Sequence, residues 1–182
     1  MFARTKRLTL RPVWLDDADA LAQAIGHESV AQMLTRVPFP YCIEDAEAFA
    51  CQPRASYEPS FVILSHDAPV PMLIGGIALT AQHDPGAPEL GYWLTPSAWG
   101  RGYATEAAHA VIEMARHALP LRRIEAWHFA DNPASGAVLR KIGFRANGRN
   151  VMKPSLARGM RSPSIGYELD LQAGQASLRI AA

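Results

Sequence analysis

Residues 89–108 read Glu-Leu-Gly-Tyr-Trp-Leu-Thr-Pro-Ser-Ala-Trp-Gly-Arg-Gly-Tyr-Ala-Thr-Glu-Ala-Ala, a bulky strand running into a glycine-punctuated turn and then a helix. A helix N-terminus offers unpaired N–H groups and about half a positive charge, which suits a phosphate. Gly100 and Gly102 remove side chains where the backbone must approach such an anion. Small residues at Ala104, Ala107 and Ala108, followed by Val111 and Ala115, let this helix sit close on a sheet. Three readings stay open on these residues alone. Gly100-x-Gly102-x-x-Thr105 is part of a dinucleotide fingerprint, but its third glycine is missing and Glu125 is a poor ribose partner. A glycine turn that only reverses the chain is the plain structural alternative, and no Walker sequence is present: Gly143 to Gly148 is followed by Arg149-Asn150. Gly91 inside the preceding strand marks a bulge, a close backbone approach or a packing position. Downstream, Asn132 is a good helix N-cap, Pro133 suits the first helical position and Gly143 the stop, with Ser135 in the first turn.

The elements that must position these residues follow from periodicity. Leu8 and Leu10 alternate with polar residues, so a strand is expected over about 6–12. Helices are expected from Asp16-Asp17 to about Gly26, over about 28–35 and over about 43–52. Two strands at 61–64 and 72–80 precede a strand at 89–95, a helix at about 102–118, a strand at 124–129, a helix at 133–142 and strands at 144–148 and about 164–171. Residues 150–163, with two prolines, read as a mobile loop. The alternation implies a mixed sheet with helices on both faces. Residues 1–172 are expected to form one domain, and 173–182 a loose tail.

Composition bounds the function. The 182 residues fit one domain, and 18 Lys+Arg against 17 Asp+Glu leave a net charge of +1. That balance gives no long-range field for nucleic acid or an anionic membrane, so any phosphate must be gripped locally. No apolar run reaches the roughly 18 residues of a membrane span, and the basic start leads into a strand pattern rather than a signal core. Cys42 and Cys51 lie on opposite faces of one expected helix, about 13 Å apart along its axis, and read as reduced cytoplasmic thiols. Six histidines form no HExxH and pair with no CxxC, so no metal site is expected.

A wider set of motifs carries a resemblance. Arg7-Leu8-x-Leu10-Arg11-Pro12, Ile74-Gly75-Gly76, Glu89 to Leu94, Trp99 to Ala107, and Asn132-x-x-Ser135 through Gly143-Phe144 together resemble the GNAT acetyltransferases. The likeness is nearest to the branch of ribosomal-protein N-terminal acetyltransferases, RimJ and RimL, and spans about residues 5–171. It implies an α/β (α+β) fold with a central mixed, mostly antiparallel, twisted sheet splayed in the middle, and helices on both faces. It also implies acetyl-CoA as cofactor, with CoA as product, and acetyl transfer to a primary amine: a small amine, an amino acid or a protein N-terminus. Carried over by position, Tyr92, Trp93, Leu94 and Thr95 line the pantetheine arm. Trp99, Gly100, Arg101, Gly102, Tyr103, Ala104 and Thr105 hold the pyrophosphate, and Asn132 and Ser135 flank the thioester. Trp99 departs from the Gln or Arg that often opens that phosphate motif.

Transfer from a thioester needs a neutral amine, a stabilised oxyanion and help for the leaving thiolate. A backbone N–H around 92–94 is the expected oxyanion donor. Glu89, directly or through water, is the expected base, with His128 as its rival. Many relatives carry a tyrosine four residues before the Gly-Phe pair, where this sequence has Leu139; Ser135 then takes the role of donor to the sulfur. The alternative reading is a non-catalytic acyl-CoA-binding regulatory module. The acceptor is expected to meet the helices at 16–35 and 43–52 and the segment 150–163. Asp16, Asp17, Asp19, Glu44, Asp45 and Glu47 could make that cleft acidic, or simply complement helix dipoles. The chain is expected to be a monomer or homodimer.

Overall fold

The computed structural model describes residues 2–55, 58–81 and 87–172; the expected tail at 173–182 lies outside them. The chain opens with β1 (Ala3–Arg4) and β2 (Leu8–Arg11), then α1 (Ala18–Ile25), α2 (Glu28–Ala31) and α3 (Ile43–Ala50). Strands β3 (Ser60–Ser65), β4 (Met72–Thr80) and β5 (Glu89–Leu94) lead into α4 (Tyr103–Ala118). Then follow β6 (Arg123–Phe129), α5 (Pro133–Lys141), β7 (Arg145–Ser155) and β8 (Met160–Asp170). Among the described residues eight strands form one sheet in the order β1-β2-β3-β4-β5-β6-β8-β7. Every neighbouring pair is antiparallel except β5 and β6, which run parallel and match only at Glu89–Glu125 and Leu90–Ala126.

Alternation along the strands builds a core on each face. Leu8, Leu10, Ile63, Leu79, Leu90 and Ile124 pack under α4 and α5, where Ala107, Ala108, Val111 and Ala115 are fully buried. The i, i+4 spacing of those small residues brings the α4 backbone close to the sheet. On the opposite face Val62 and Trp93 pack against Val13, Ala18, Leu21 and Ala46 beneath α1 and α3. Helices therefore cover both faces, as the pattern implied.

The expected loop at 150–163 is a correction. Those residues form most of a long hairpin, paired from Asn150–Ile165 to Ser155–Met160 around a turn at 156–159. The prolines are accommodated by position. β7 is the sheet's edge strand, and the two-residue alternation turns the missing donor of Pro154 toward its open side. Pro163 stands where β6 ends, and its carbonyl accepts from Ala130 N–H at 2.8 Å. The helix expected over 28–35 is only four residues long, because Pro38 and Pro40 follow and the segment 32–35 is drawn toward the hairpin. Arg158 Nε donates to Gln32 O at 2.6 Å, Ser155 Oγ to Leu34 O at 3.1 Å and Leu156 N–H to Thr35 O at 3.2 Å.

Candidate active site

The site begins where the central strands part. Because Thr95 N–H donates to Ile74 O, the odd residues of β5 face β4 and the even ones face β6. The β5–β6 ladder stops at Leu90, so the N–H of Tyr92 and of Leu94 point into an opening between the strands. The Leu94 carbonyl is taken by Trp99 Nε1–H at 2.8 Å. The bulge read at Gly91 is absent: β4 and β5 pair in continuous register from Gly75–Leu94 to Thr80–Glu89. The irregularity lies one ladder away, between Ile63 and Leu64 of β3. Gly91 has open space where a Cβ would stand. The sheet splits there without a bulge.

The glycine turn sits at the end of the split. Gly100 and Gly102 have φ of 72° and 80°, in the left-handed region that disfavours side chains. No side chain caps α4, so the N–H groups of Tyr103, Ala104 and Thr105 have no intrahelical partners. The turn is braced from behind. Arg7 Nη1 donates to Arg101 O at 3.0 Å, while its Nε donates to Glu106 Oε2 at 2.8 Å and its N–H to Glu106 Oε1 at 2.9 Å. Burial of the Glu106 carboxyl acts to raise its pKa, but hydrogen bonds from Thr5 and Arg7 and the Arg7 charge outweigh it and hold it below the usual range. Arg101 faces Asp67 at 3.4 Å, and the buried Tyr103 hydroxyl donates to the same carboxylate. Tyr103 thus offers only its main chain to a ligand, whereas Gly100, Arg101 and Gly102 are exposed.

Tyr92 crosses the split. Its hydroxyl lies 2.9 Å from Ser135 Oγ and 3.0 Å from Ser135 O, where it donates. Burial pushes the Tyr92 phenol up to about 12, against the opposing effect of the Ser135 hydrogen bond, so it stays protonated at neutral pH. Asn132 caps α5 by accepting from Ser135 N–H at 3.2 Å, which fixes that serine's backbone. Leu139 is buried in the core and 1% exposed. His128 is also buried. It is packed against Gly136 of α5, its Nδ1 is 2.8 Å from Phe129 O and its Nε2 has no hydrogen-bond partner among the described residues.

On the α1/α3 face lies a cavity of about 200 Å³, with Leu21, Leu34, Val37, Phe49, Phe61 and Trp93 among its walls. Gly76 makes room for the Trp93 indole, since a Cβ there would come within 2.7 Å of Trp93 Nε1. Glu89, Gly91 and Tyr92 belong to the same wall, so this cavity meets the split. The Glu89 carboxylate is paired with Lys153 Nζ at 2.6 Å, and Lys153 lies 4.8 Å from the centre of the Trp127 ring. Lys153 was missed in the sequence because it belongs to the hairpin read as a loop. The acidic residues near the helix starts do not line the cavity. Asp17 is held by both Nη atoms of Arg11 at 2.6 Å, and Asp45 accepts from Cys42 N–H at 3.0 Å.

Tyr92 thus links two neighbourhoods: it borders the cavity with Glu89, its hydroxyl meets Ser135, and the strand that carries it leads on to the turn before α4. Trp93 lies on the cavity side, and Leu94 and Thr95 are buried. A family model described as an acetyltransferase (GNAT) domain matches residues 7–145. The uncharacterized N-acetyltransferase YnaD of Bacillus subtilis (strain 168) is 30% identical over 148 residues, 81% of this chain and 85% of that protein. The crystal structure of a GNAT-family acetyltransferase from Bacillus anthracis superposes with a TM-score of 0.79 at 23% identity, covering 94% of this chain and 99% of its own. RimL, the ribosomal L7/L12 α-N-protein acetyltransferase solved with coenzyme A, gives 0.80 at 20% identity, covering 95% and 99%.

Proposed function

The chain belongs to the GNAT acetyltransferases, and on that premise we propose that it moves an acetyl group from acetyl-CoA to a primary amine by direct attack on the thioester. The observation that carries this reading is the split beyond Leu90, which leaves the Tyr92 N–H without a strand partner among the described residues, in the strand that leads to the uncapped N-terminus of α4. The residues present suit the cofactor. A Cβ at Gly91 or Gly100 would meet no described residue within 4 Å, so backbone is accessible both along the split and at the turn. The N–H groups of Tyr103, Ala104 and Thr105 would hold its pyrophosphate by their dipoles rather than by a basic surface.

Acetyl-CoA, when bound, supplies the activated acyl group. The Tyr92 N–H is the donor for the oxyanion, because it already points into the opening and needs no rearrangement. Glu89 receives the proton of the attacking amine through water from the cavity side, and Lys153 holds its carboxylate in place. With the Tyr92 hydroxyl turned from Ser135 O to donate to Ser135 Oγ, 2.9 Å away, the serine would keep its own proton for a hydrogen bond to the departing sulfur. A thiolate of ordinary pKa about 8.5 needs no strong acid. Burial of Leu139, where relatives place a tyrosine, is the observation that favours the second reading, a regulatory module that binds acyl-CoA without turnover.

Thiol release from acetyl-CoA with a panel of primary amines separates the two. Amine-dependent release is expected; CoA binding with no release for any amine would establish the regulatory module. Calorimetric titration with CoA and NAD tests the cofactor itself, and tight NAD binding overturns both readings.

A further inference from the structure

The cavity that meets the split has an uneven charge. Among the described residues that line it, Arg36 and Glu89 are the only members of the charged residue types Asp, Glu, Lys and Arg. Glu89 is engaged by Lys153 at 2.6 Å, so the local sum of the three groups is positive. A polyamine or a lysine-rich peptide tail would need several carboxylates there, and the acidic residues of 16–19 and 44–47 lie elsewhere.

Arg36 is placed differently from an ordinary surface arginine. The segment that ends at it is pinned by three hydrogen bonds from the β7–β8 hairpin, to the carbonyls of Gln32, Leu34 and Thr35. Its guanidinium is exposed and has no ion pair among the described residues. Leu34 and Val37 on either side of it, with Phe49 and Phe61 beyond, give the cavity apolar walls. A cation on a fixed backbone at the edge of an apolar cavity is suited to a carboxylate, which the planar guanidinium binds through two parallel hydrogen bonds.

From this arrangement we propose that the acceptor is a small amine bearing both an apolar group and a carboxylate, as in an apolar α-amino acid, and that Arg36 binds its carboxylate. The amine then points toward Glu89 and the split, and the apolar group fills the walls. This rests on the acetyltransferase reading and narrows its substrate.

The test compares leucine, methionine and phenylalanine with their amides, with spermidine and with a lysine-rich peptide, in thiol-release assays on the full chain. The free amino acids are expected to exceed their amides at least tenfold in kcat/KM, and to exceed the two polycations. Arg36→Gln should raise KM for the amino acids about tenfold while leaving the amides within twofold, and unchanged CoA affinity shows that the variant is folded. Equal or better turnover of the amides or polycations, or an Arg36→Gln effect that is the same for acids and amides, overturns the substrate assignment and leaves the acetyltransferase reading standing. Thiol release with no member of the panel, by protein that binds CoA, overturns both.

Discussion

Ser135 and Tyr92 make one unit, because two hydroxyls 2.9 Å apart share hydrogen bonds that neither makes alone. Ser135→Ala is expected to slow turnover about tenfold rather than abolish it, and Tyr92→Phe to do the same while CoA affinity holds. The double variant should be little slower than either single one; additive losses in a kinetic double-mutant cycle would show that the tyrosine does not act through the serine. Leu139 has the opposite character. A tyrosine installed there meets packed core instead of the opening, so Leu139→Tyr should lower stability by about 1–3 kcal/mol and bring no gain in kcat, as read by denaturation and steady-state kinetics. At this scale the sequence was informative where the signal is local. Asn132, Ser135 and the glycines sit within one turn of a helix start, and their types announce the cap that Asn132 makes and the anion seat proposed at the turn. The contacts that complete the site are distant in sequence, with Tyr92 and Ser135 43 residues apart and Glu89 and Lys153 64 apart. No spacing rule reaches that far.

At the level of elements, α4 and the β7–β8 hairpin do separate work. The turn before α4 depends on Gly102 at φ 80°, where an alanine would force a left-handed conformation at about 1–2 kcal/mol. Gly102→Ala should therefore weaken CoA binding in calorimetry more than it lowers the melting temperature, by turning the N–H groups of 103–105 off their common target. The Arg7-Leu8-x-Leu10-Arg11 motif, which read as a strand and as part of the family resemblance, has its physical reason in this element. Arg7 ties the turn to Glu106, and Arg11 ties the next corner to Asp17. The hairpin shows how proline misleads: at an edge strand and beyond a neighbour's end its lost donor has nothing to meet, so the rule that demotes a strand did not apply. The sheet and its helices were otherwise readable, because alternation and small-residue helix faces are properties of the segment itself.

For the whole molecule, charge acts in local pairs rather than as a field. Arg11 holds the Asp17 carboxyl below the usual range, and Arg158 does the same for Asp131. A carboxyl depressed in the fold stabilises it above the ordinary aspartate value and loses that contribution as pH falls through the folded value. Stability should thus fall from about pH 4 downward. Asp17→Asn should start from a lower melting temperature at pH 7 and lose less on acidification; parallel melting curves against pH for the two proteins would contradict the assignment.

The same split has a consequence for hydrogen exchange. A central strand of an eight-stranded sheet ordinarily holds its amides until global unfolding, and Tyr92 lies in the fifth strand of this one. Its N–H has no strand partner across the opening among the described residues, so in the free protein it should exchange like an amide at the rim, and slow sharply once CoA lies alongside. The middle of the sheet is, for that one proton, an edge that a ligand closes.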